Sequence, residues 1–238
     1  MNMKFENLKR IHDHSFMKAE KIEKYTYHHQ NPYPEIMNDL LYSDFRNYSI
    51  WLSGTELYNY MEEIPNSGLK DEGKFARSAE HLEKNRLADA DWRIQVRPCF
   101  LYHDRELYYD SITEILHLEG KRDFGGYDIA AGGESLVSER KVYRFDLSAE
   151  KAEAFCDFAK NLSKDVDTVL SSCNIGNVSL SLRENEVYLY YEYCGNQYKT
   201  DIESFLNHPL IKECKKTAET YMIPENRYTE YKQIFYSL

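Results

Sequence analysis

The chain lacks any long apolar run, any surplus of basic residues and any CxxC pair of cysteines. No stretch approaches the roughly 20 apolar residues of a membrane-spanning helix, and residues 1–25 contain no apolar segment typical of a signal peptide. The net charge of −10 disfavours nucleic acids and anionic membranes as partners, because both attract clustered Lys and Arg. The five scattered cysteines favour reduced thiols. We therefore expect a soluble protein of the cytoplasm.

Glycine is scarce as well, with ten in the chain, and two Gly-Gly pairs fall in one segment. Gly125-Gly126 and Gly132-Gly133 lie between residues 120 and 140, where large apolar side chains are few. This composition predicts a linker or a surface loop. The segment has no GxGxxG form and no following Lys-Ser pair, so we expect no phosphate-binding loop.

What the chain does contain is an internal repeat. Residues 12–62 align without a gap with residues 142–192, and Asn47, for example, matches Asn177. A chain of 238 residues also has the length of two domains. We predict a first domain over residues 1–119, a Gly-rich linker over residues 120–140 and a second domain over residues 141–238.

Alternating apolar residues, helix caps and turn residues give each copy the order strand, helix, strand, strand, helix, strand. Pro32 and Pro34 predict a break in the first helix just after His29, since proline removes an N–H donor. Ile112–Leu118 and Tyr231–Leu238 are expected to close the two copies. Such a βαββαβ order predicts an antiparallel sheet with helices on one face, and two copies could cover each other as a barrel-like pair.

The chain has 21 tyrosines, which is an unusual number, and two of them are spaced so that they are expected to lie near one histidine. Tyr25 and His29 are four residues apart on the first predicted helix and share a face, and Tyr48 begins the next strand. Tyrosine suits carbohydrate pockets, where its ring stacks on C–H groups, although it also fills strands. The second copy has apolar residues at these three positions: Phe155, Ala159 and Val178. We therefore predict that the first copy carries the reactive groups and that the second is structural.

The first copy resembles the L-rhamnose mutarotase family. The stretch Tyr25–Ile36 has that family's tyrosine, a histidine four residues later and an aromatic-Pro-Glu-aliphatic ending. Arg46–Leu52 resembles the family's next strand, with its tyrosine at position 48, and Glu114–Leu118 resembles the strand that ends the family's domain. The resemblance covers residues 9–119 in outline and the second half more weakly.

The resemblance implies a fold class, an activity and a set of roles. The fold would be α+β, with two ferredoxin-like (βαββαβ) repeats forming an intramolecular dimeric α/β barrel. The activity would be that of an isomerase, interconverting the α and β anomers of L-rhamnose or a related deoxy sugar without a metal or an organic cofactor. His29 would be the proton donor, and Tyr25 and Tyr48 would hold sugar hydroxyls. The family's adjacent tryptophans correspond to Asp91-Trp92, so one of the two is absent.

Mutarotation opens a hemiacetal ring and closes it again, so one group must protonate the ring oxygen while another removes the anomeric proton. Histidine, with an unperturbed pKa near 6.5, can do either. Asp91, if it enters the pocket, would be the partner base or would accept a hydroxyl. Trp92 would be either a sugar contact or a core ring.

His12-Asp13-His14 is a separate motif. In a strand His12 and His14 point the same way, and with His28 or His29 they could bind zinc or iron. No carboxylate or thiol supports such a site at a suitable spacing, so we expect no metal. If these side chains share the pocket of His29, contact with the sugar is the expected role.

Three functions fit these residues. The first is the mutarotase, with a monosaccharide as partner and a pseudo-dimer inside one chain that needs no second copy. The second is a non-catalytic carbohydrate-binding or sensor protein. The third is a monooxygenase-like or haem-handling member of the same fold, because a fold does not fix a function.

Overall fold

The computed structural model describes residues 8–63, 77–105, 108–121, 137–162, 164–223 and 228–237. The chain divides into two compact units, one made of Met1–Ser111 with Lys232–Leu238 and the other of Ile112–Tyr231. Within the described ranges, no helix has both the length and the apolar character needed to cross a membrane.

The first unit is an antiparallel sheet packed against three helices. Its strands lie in the order β4 (Asp110–Ser111), β1 (Lys9–Phe16), β3 (Glu56–Glu63) and β2 (Phe45–Ser53), followed by residues 232–237 of the C-terminal strand β9 (Thr229–Ser237). Ile50 and Leu57 of the sheet pack against Tyr25 and Val96 of the helices and form the core. The elements are β1 (Lys9–Phe16), α1 (Ile22–Gln30), α2 (Pro34–Tyr42), β2 (Phe45–Ser53), β3 (Glu56–Glu63), α3 (Ala79–Val96) and β4 (Asp110–Ser111).

The break between α1 and α2 lies where the prolines predict it. Helix α1 ends at Gln30, and Pro34 occupies the first turn of α2, where a missing N–H costs nothing because the helix has no acceptor for it. The predicted break after His29 is confirmed. It leaves His29 in the last turn of α1.

The second unit has the same construction. Its strands lie in the order β6-β8-β7-β5, with the first residues of β9 beside β6. Its elements are β5 (Thr113–Gly120), β6 (Glu139–Asp146), α4 (Ala152–Lys160), α5 (Lys164–Ser172), β7 (Ile175–Arg183), β8 (Glu186–Tyr193), α6 (Tyr198–Asn207), α7 (Pro209–Glu219) and β9 (Thr229–Ser237).

The elements from β1 to β3 recur in the second repeat at one constant offset in the sequence. Helices α1 and α2 begin at Ile22 and Pro34, and helices α4 and α5 begin at Ala152 and Lys164. Strands β2 and β7 carry a bulge at the same place, with Asn47 and Asn177 in the left-handed backbone region at φ 51° and 48°. Asparagine tolerates this conformation better than most residues.

The closing strands differ from the expectation. Strand β5 pairs with β7 inside the second unit, and residues 232–237 of β9 pair with β2 inside the first. The last strand of the first repeat therefore lies in the second unit, and the last strand of the second repeat lies in the first unit. The sequence does not reveal this exchange, because a strand pairs at a sheet edge through backbone groups that any residue supplies. Most of the predicted linker, residues 122–136, lies outside the described residues, and the division at residues 119 and 141 stays a prediction.

Candidate active site

His29 is buried on the sheet-facing side of α1, with 8 % of its surface exposed. Its Nδ1 lies 2.9 Å from the carbonyl oxygen of Tyr25, one turn earlier. A carbonyl can only accept, so Nδ1 carries the proton and Nε2 holds the lone pair of the neutral ring. Burial lowers the pKa of His29 to about 4. At pH 7 the imidazole is therefore uncharged and able to accept a proton at Nε2.

Aromatic rings from three different elements surround this imidazole. Its centroid lies 4.0 Å from that of Tyr25, 5.2 Å from that of Trp92 on α3 and 5.8 Å from that of Phe235 on β9. The ring of Tyr48 in turn contacts Phe235, at 5.5 Å. The structure thus brings Tyr25, His29, Tyr48 and Trp92 together around Phe235. The resemblance implied a shared pocket for these four residues but did not point to Phe235.

The phenols of this cluster remain protonated at neutral pH. Burial raises the pKa of Tyr25, Tyr48 and Tyr109. The hydroxyl of Tyr25 lies 3.4 Å from that of Tyr109. These groups can donate hydrogen bonds to a substrate oxygen. Tyr109 was missed by sequence reasoning, because it lies in an irregular segment with no periodicity that would assign it a face.

Asp13 and Asn59 add polar groups on the same side of the sheet. Asp13 is paired in register with Asn59, which is paired with the core residue Ile50. Asp13 Oδ1 accepts a hydrogen bond of 3.2 Å from Ser111, and burial raises the pKa of its carboxyl. Burial, and then the charge of Asp13, raises the pKa of Tyr48.

Asn59 is a buried acceptor in this cluster, with 1 % of its surface exposed. Its Oδ1 has no hydrogen-bond partner among the described residues. An unsatisfied buried acceptor costs about 1–3 kcal/mol, so such a group is usually met by a water or a ligand. A hydroxyl donor is the natural partner for it.

His12 and His14 lie on the opposite face of the sheet. His12 Nδ1 is 2.6 Å from the hydroxyl of Tyr58, whose side chain alternates with that of the core residue Leu57. His14 shares the orientation of His12, two residues earlier. The expectation that these histidines share the pocket of His29 therefore fails, because strand alternation turns Asp13 toward it instead. Among the described residues no group of three His, Cys, Asp or Glu is arranged to hold a metal.

Asp91 is the neighbour of Trp92 on α3, and its partner Tyr33 also contacts the Trp92 ring, at 5.5 Å between centroids. It is exposed, and its Oδ2 accepts a hydrogen bond of 2.8 Å from the hydroxyl of Tyr33. Successive helix residues point about 100° apart, so Trp92 faces His29 while its neighbour faces solvent. The condition for a role of Asp91, a carboxylate inside the pocket, is not met by this exposed residue.

The second repeat has no carboxylate or imidazole at the corresponding positions. Phe155, Ala159 and Val178 are buried in apolar clusters of the second unit. In the gapless alignment of the two repeats, Asp13 and Asn59 correspond to Tyr143 and Leu189. Among these matched positions, an imidazole and a carboxylate occur only in the first repeat.

Comparisons with known proteins agree with this division. Residues 10–106, less than half of the chain, match the family model of L-rhamnose mutarotase. That range contains Asp13, Tyr25, His29, Tyr48, Asn59 and Trp92. No curated protein matches the chain.

Two solved structures resemble the whole chain. One is a proposed monooxygenase from Lactobacillus acidophilus NCFM, with a TM-score of 0.51 and 9 % identity over 98 % of this chain and 96 % of that one. The other is a proposed monooxygenase from Fusobacterium nucleatum, with a TM-score of 0.52 and 11 % identity over 97 % and 93 % of the two chains. At such identities the likeness shows the fold alone.

These likenesses and the two α+β units confirm the predicted fold class, α+β with two ferredoxin-like repeats, as in dimeric α+β barrel proteins. The family match confirms the resemblance of the first repeat. Over residues 10–106, this chain has the sequence pattern of the L-rhamnose mutarotase family.

Proposed function

We propose that the first unit is an L-rhamnose mutarotase-like isomerase that interconverts the α and β anomers of L-rhamnose or a related 6-deoxy sugar. The observation that carries the proposal is the state of His29: a buried, neutral imidazole whose Nδ1 donates to Tyr25 and whose Nε2 lone pair is not engaged by that bond. The family match over residues 10–106 supports a sugar as substrate. The proposed reaction uses no metal and no organic cofactor.

The reaction needs one proton to leave the anomeric hydroxyl and one to reach the ring oxygen as the ring C–O bond breaks. In the proposal, His29 Nε2 accepts the hydroxyl proton, and the electron pair of that O–H bond forms the aldehyde carbonyl. The ring oxygen leaves with the C–O pair and takes the proton from the imidazolium. Both oxygens are bound to the same carbon, so one imidazole can reach both. Rotation and the reverse steps give the other anomer.

This sequence modifies the role implied by the resemblance. With a pKa of about 4, His29 is not a proton donor in the resting state; it accepts first and donates afterwards. The phenols of Tyr25 and Tyr48 stabilise the developing charge on the ring oxygen through hydrogen bonds, as preorganised donors do. Trp92 and Phe235 offer ring faces to the C–H groups of the sugar.

Asp13 and Asn59 supply acceptors for the remaining sugar hydroxyls in this proposal. They replace Asp91, His12 and His14, which lie elsewhere. The second repeat of the chain is inferred to be a duplicated copy that lost the proton-transfer groups. A location in the cytoplasm stays a prediction.

The direct test is exchange NMR on L-rhamnose. Saturating the anomeric proton of one anomer should reduce the signal of the other faster with the protein than in buffer. Sugar binding without faster exchange would overturn the proposed isomerase activity and favour a carbohydrate-binding protein. Neither binding nor faster exchange with any 6-deoxy sugar would overturn the proposal altogether.

Asp13→Asn is expected to reduce kcat/KM for anomer exchange by about 10- to 100-fold, because hydrogen bonds to a charged group contribute about 1.5–3 kcal/mol. The measurement is the exchange rate as a function of sugar concentration. The matched control is Asp110→Asn, an exposed residue of the neighbouring strand β4, which should keep the wild-type rate. Equal rates for all three proteins would remove Asp13 from the site.

Trp92 should report sugar binding through its fluorescence. The chain has two tryptophans, and Trp51 is fully buried with its indole N–H donating to Ser49. In Trp51→Phe, we expect L-rhamnose to change the emission of Trp92, since the sugar would lie against this ring. In Trp92→Phe, the remaining Trp51 should not respond. An unresponsive Trp92 at saturating sugar would contradict its place in the site.

A further inference from the structure

The second unit contains a cavity of about 360 Å³ between its sheet and helix α6. Val178, Leu189 and Tyr191 line it from the strands, and Ile202, Phe205 and Leu206 line it from the helix. A volume of this size lies within the range of pockets that hold small molecules. Two of its apolar lining residues are exposed, Leu206 at 46 % and Tyr228 at 43 %, so the cavity has an open mouth.

The strand side of this cavity corresponds to the strand residues of the His29 cluster, whereas Phe155 and Ala159, which match Tyr25 and His29, do not line it. Tyr143, Val178 and Leu189 line it, and in the alignment of the two repeats they match Asp13, Tyr48 and Asn59. The same face of the sheet has therefore changed from polar to apolar without being filled. Apolar surface left open to solvent in this way is typical of a ligand-binding groove.

The polar groups of the cavity are few and specifically arranged. The rings of Tyr143 and Tyr191 are nearly parallel, at 13°, with centroids 6.3 Å apart. The hydroxyls of Tyr191 and Tyr198 share a hydrogen bond of 2.8 Å, and Tyr191 also bonds to Tyr143. Two bonds among three phenols use two O–H groups as donors and leave the third O–H to donate. A flat ring against these phenols, with an acceptor group near them, would satisfy that donor.

Two lysines near the mouth differ in how firmly a glutamate holds them. Lys215 of α7 is the charged side chain among the described residues that line the cavity. Its ion pair with Glu219 is long, at 3.9 Å, and both side chains are about half exposed. The other nearby cation, Lys141, is engaged at 2.8 Å by Glu230. Lys215 is thus available to an acidic group that enters from solvent.

We propose that this cavity binds a flat apolar ring compound that carries one acidic group. The second repeat would then be a binding unit for a ligand chemically unlike a sugar, independent of catalysis in the first. The ligand class follows from the apolar walls, the nearly parallel phenol rings and the weakly paired Lys215 at the mouth.

The test compares two fluorescent probes of one shape, the sulfonate 1-anilinonaphthalene-8-sulfonate and its uncharged analogue N-phenyl-1-naphthylamine. Probe emission is titrated with the wild-type chain and three variants. Leu189→Trp fills the cavity, Lys215→Met removes the cation, and Lys212→Met removes an exposed lysine of the same helix outside the lining. Circular dichroism and thermal unfolding check that each variant is folded, since loosely packed proteins also bind such probes.

We expect the sulfonate to bind the wild-type chain, with affinity at least about 10-fold lower in Leu189→Trp, as expected when a ring occupies the site. Lys215→Met should lower the affinity for the sulfonate by about 2- to 5-fold, the size of an exposed ion pair, and leave the affinity for the uncharged probe unchanged. Lys212→Met should bind both probes like the wild type. L-Rhamnose should not displace the probe. Unchanged binding in a folded Leu189→Trp would overturn the site, and equal affinities with and without Lys215 would overturn the acidic ligand.

Discussion

His29→Gln is expected to lower the catalysed rate of L-rhamnose anomer exchange by about 10²–10⁴-fold, the usual contribution of a positioned general acid–base group. Glutamine has no basic lone pair near neutral pH, yet its amide can still donate to the Tyr25 carbonyl that His29 Nδ1 now contacts. Packing in the last turn of α1 should therefore survive. Exchange NMR on matched concentrations of both proteins measures the difference.

His28→Gln is the matched control for this experiment. His28 is the adjacent residue of α1 and also touches Trp92, at 5.7 Å between ring centroids. The hydrogen bond to the carbonyl oxygen of Tyr25, however, is made by Nδ1 of His29. We expect exchange near the wild-type rate. A loss as large as that of His29→Gln would mean that the helix end, and not the buried imidazole, matters; no loss in His29→Gln would remove His29 from the reaction.

The second large effect is a loss of stability in acid that depends on His29. Its pKa falls from the ordinary 6.5 to about 4 on folding, because burial disfavours the charged ring. Between these values the unfolded chain binds the additional proton, so this contribution to stability is complete above pH 6.5 and is lost as the pH falls toward 4. A difference of about 2.5 in pKa corresponds to about 3 kcal/mol.

Urea unfolding of the wild type and of His29→Gln, at pH 7 and at pH 4.5, measures this contribution. The free energy of unfolding of the wild type should fall by more than that of the variant, with most of the roughly 3 kcal/mol of difference already present at pH 4.5. Other titrating groups affect both proteins alike and cancel in the comparison. Parallel pH dependence of the two proteins would contradict a buried, neutral imidazole.

Local sequence rules predicted the parts of this molecule that depend on local physics. Pro32 and Pro34 ended the helix where they should, since a missing N–H acts on its own turn. The spacing of Tyr25 and His29 placed both on one helix face, and both are buried. The repeat predicted the matching elements of the two halves, because equal patterns of apolar residues specify equal elements.

What the sequence could not show was set by distant parts of the chain. Within His12-Asp13-His14, alternation allows either the two histidines or the aspartate to face α1, and only the packing of β1 beside β3 decides for Asp13. Phe235 contacts His29 because β9 pairs with β2. That pairing is made by backbone groups, so the side chains of the sequence do not indicate it. The same applies to the apolar cavity, because each of its lining residues reads as ordinary core in isolation.

The most direct measurement of the central claim is the pH dependence of kcat/KM for L-rhamnose anomer exchange, which reports the pKa of the essential base in the free protein. A base with a pKa of about 4 predicts nearly the same kcat/KM at pH 5.5 as at pH 7.5, with the decline beginning only below about pH 5. A decline of about 10-fold by pH 5.5 in both the wild type and Asp13→Asn, in which the carboxyl of Asp13 no longer titrates, is what an ordinary histidine with a pKa near 6.5 would give. It would contradict the account of His29 as a buried proton acceptor.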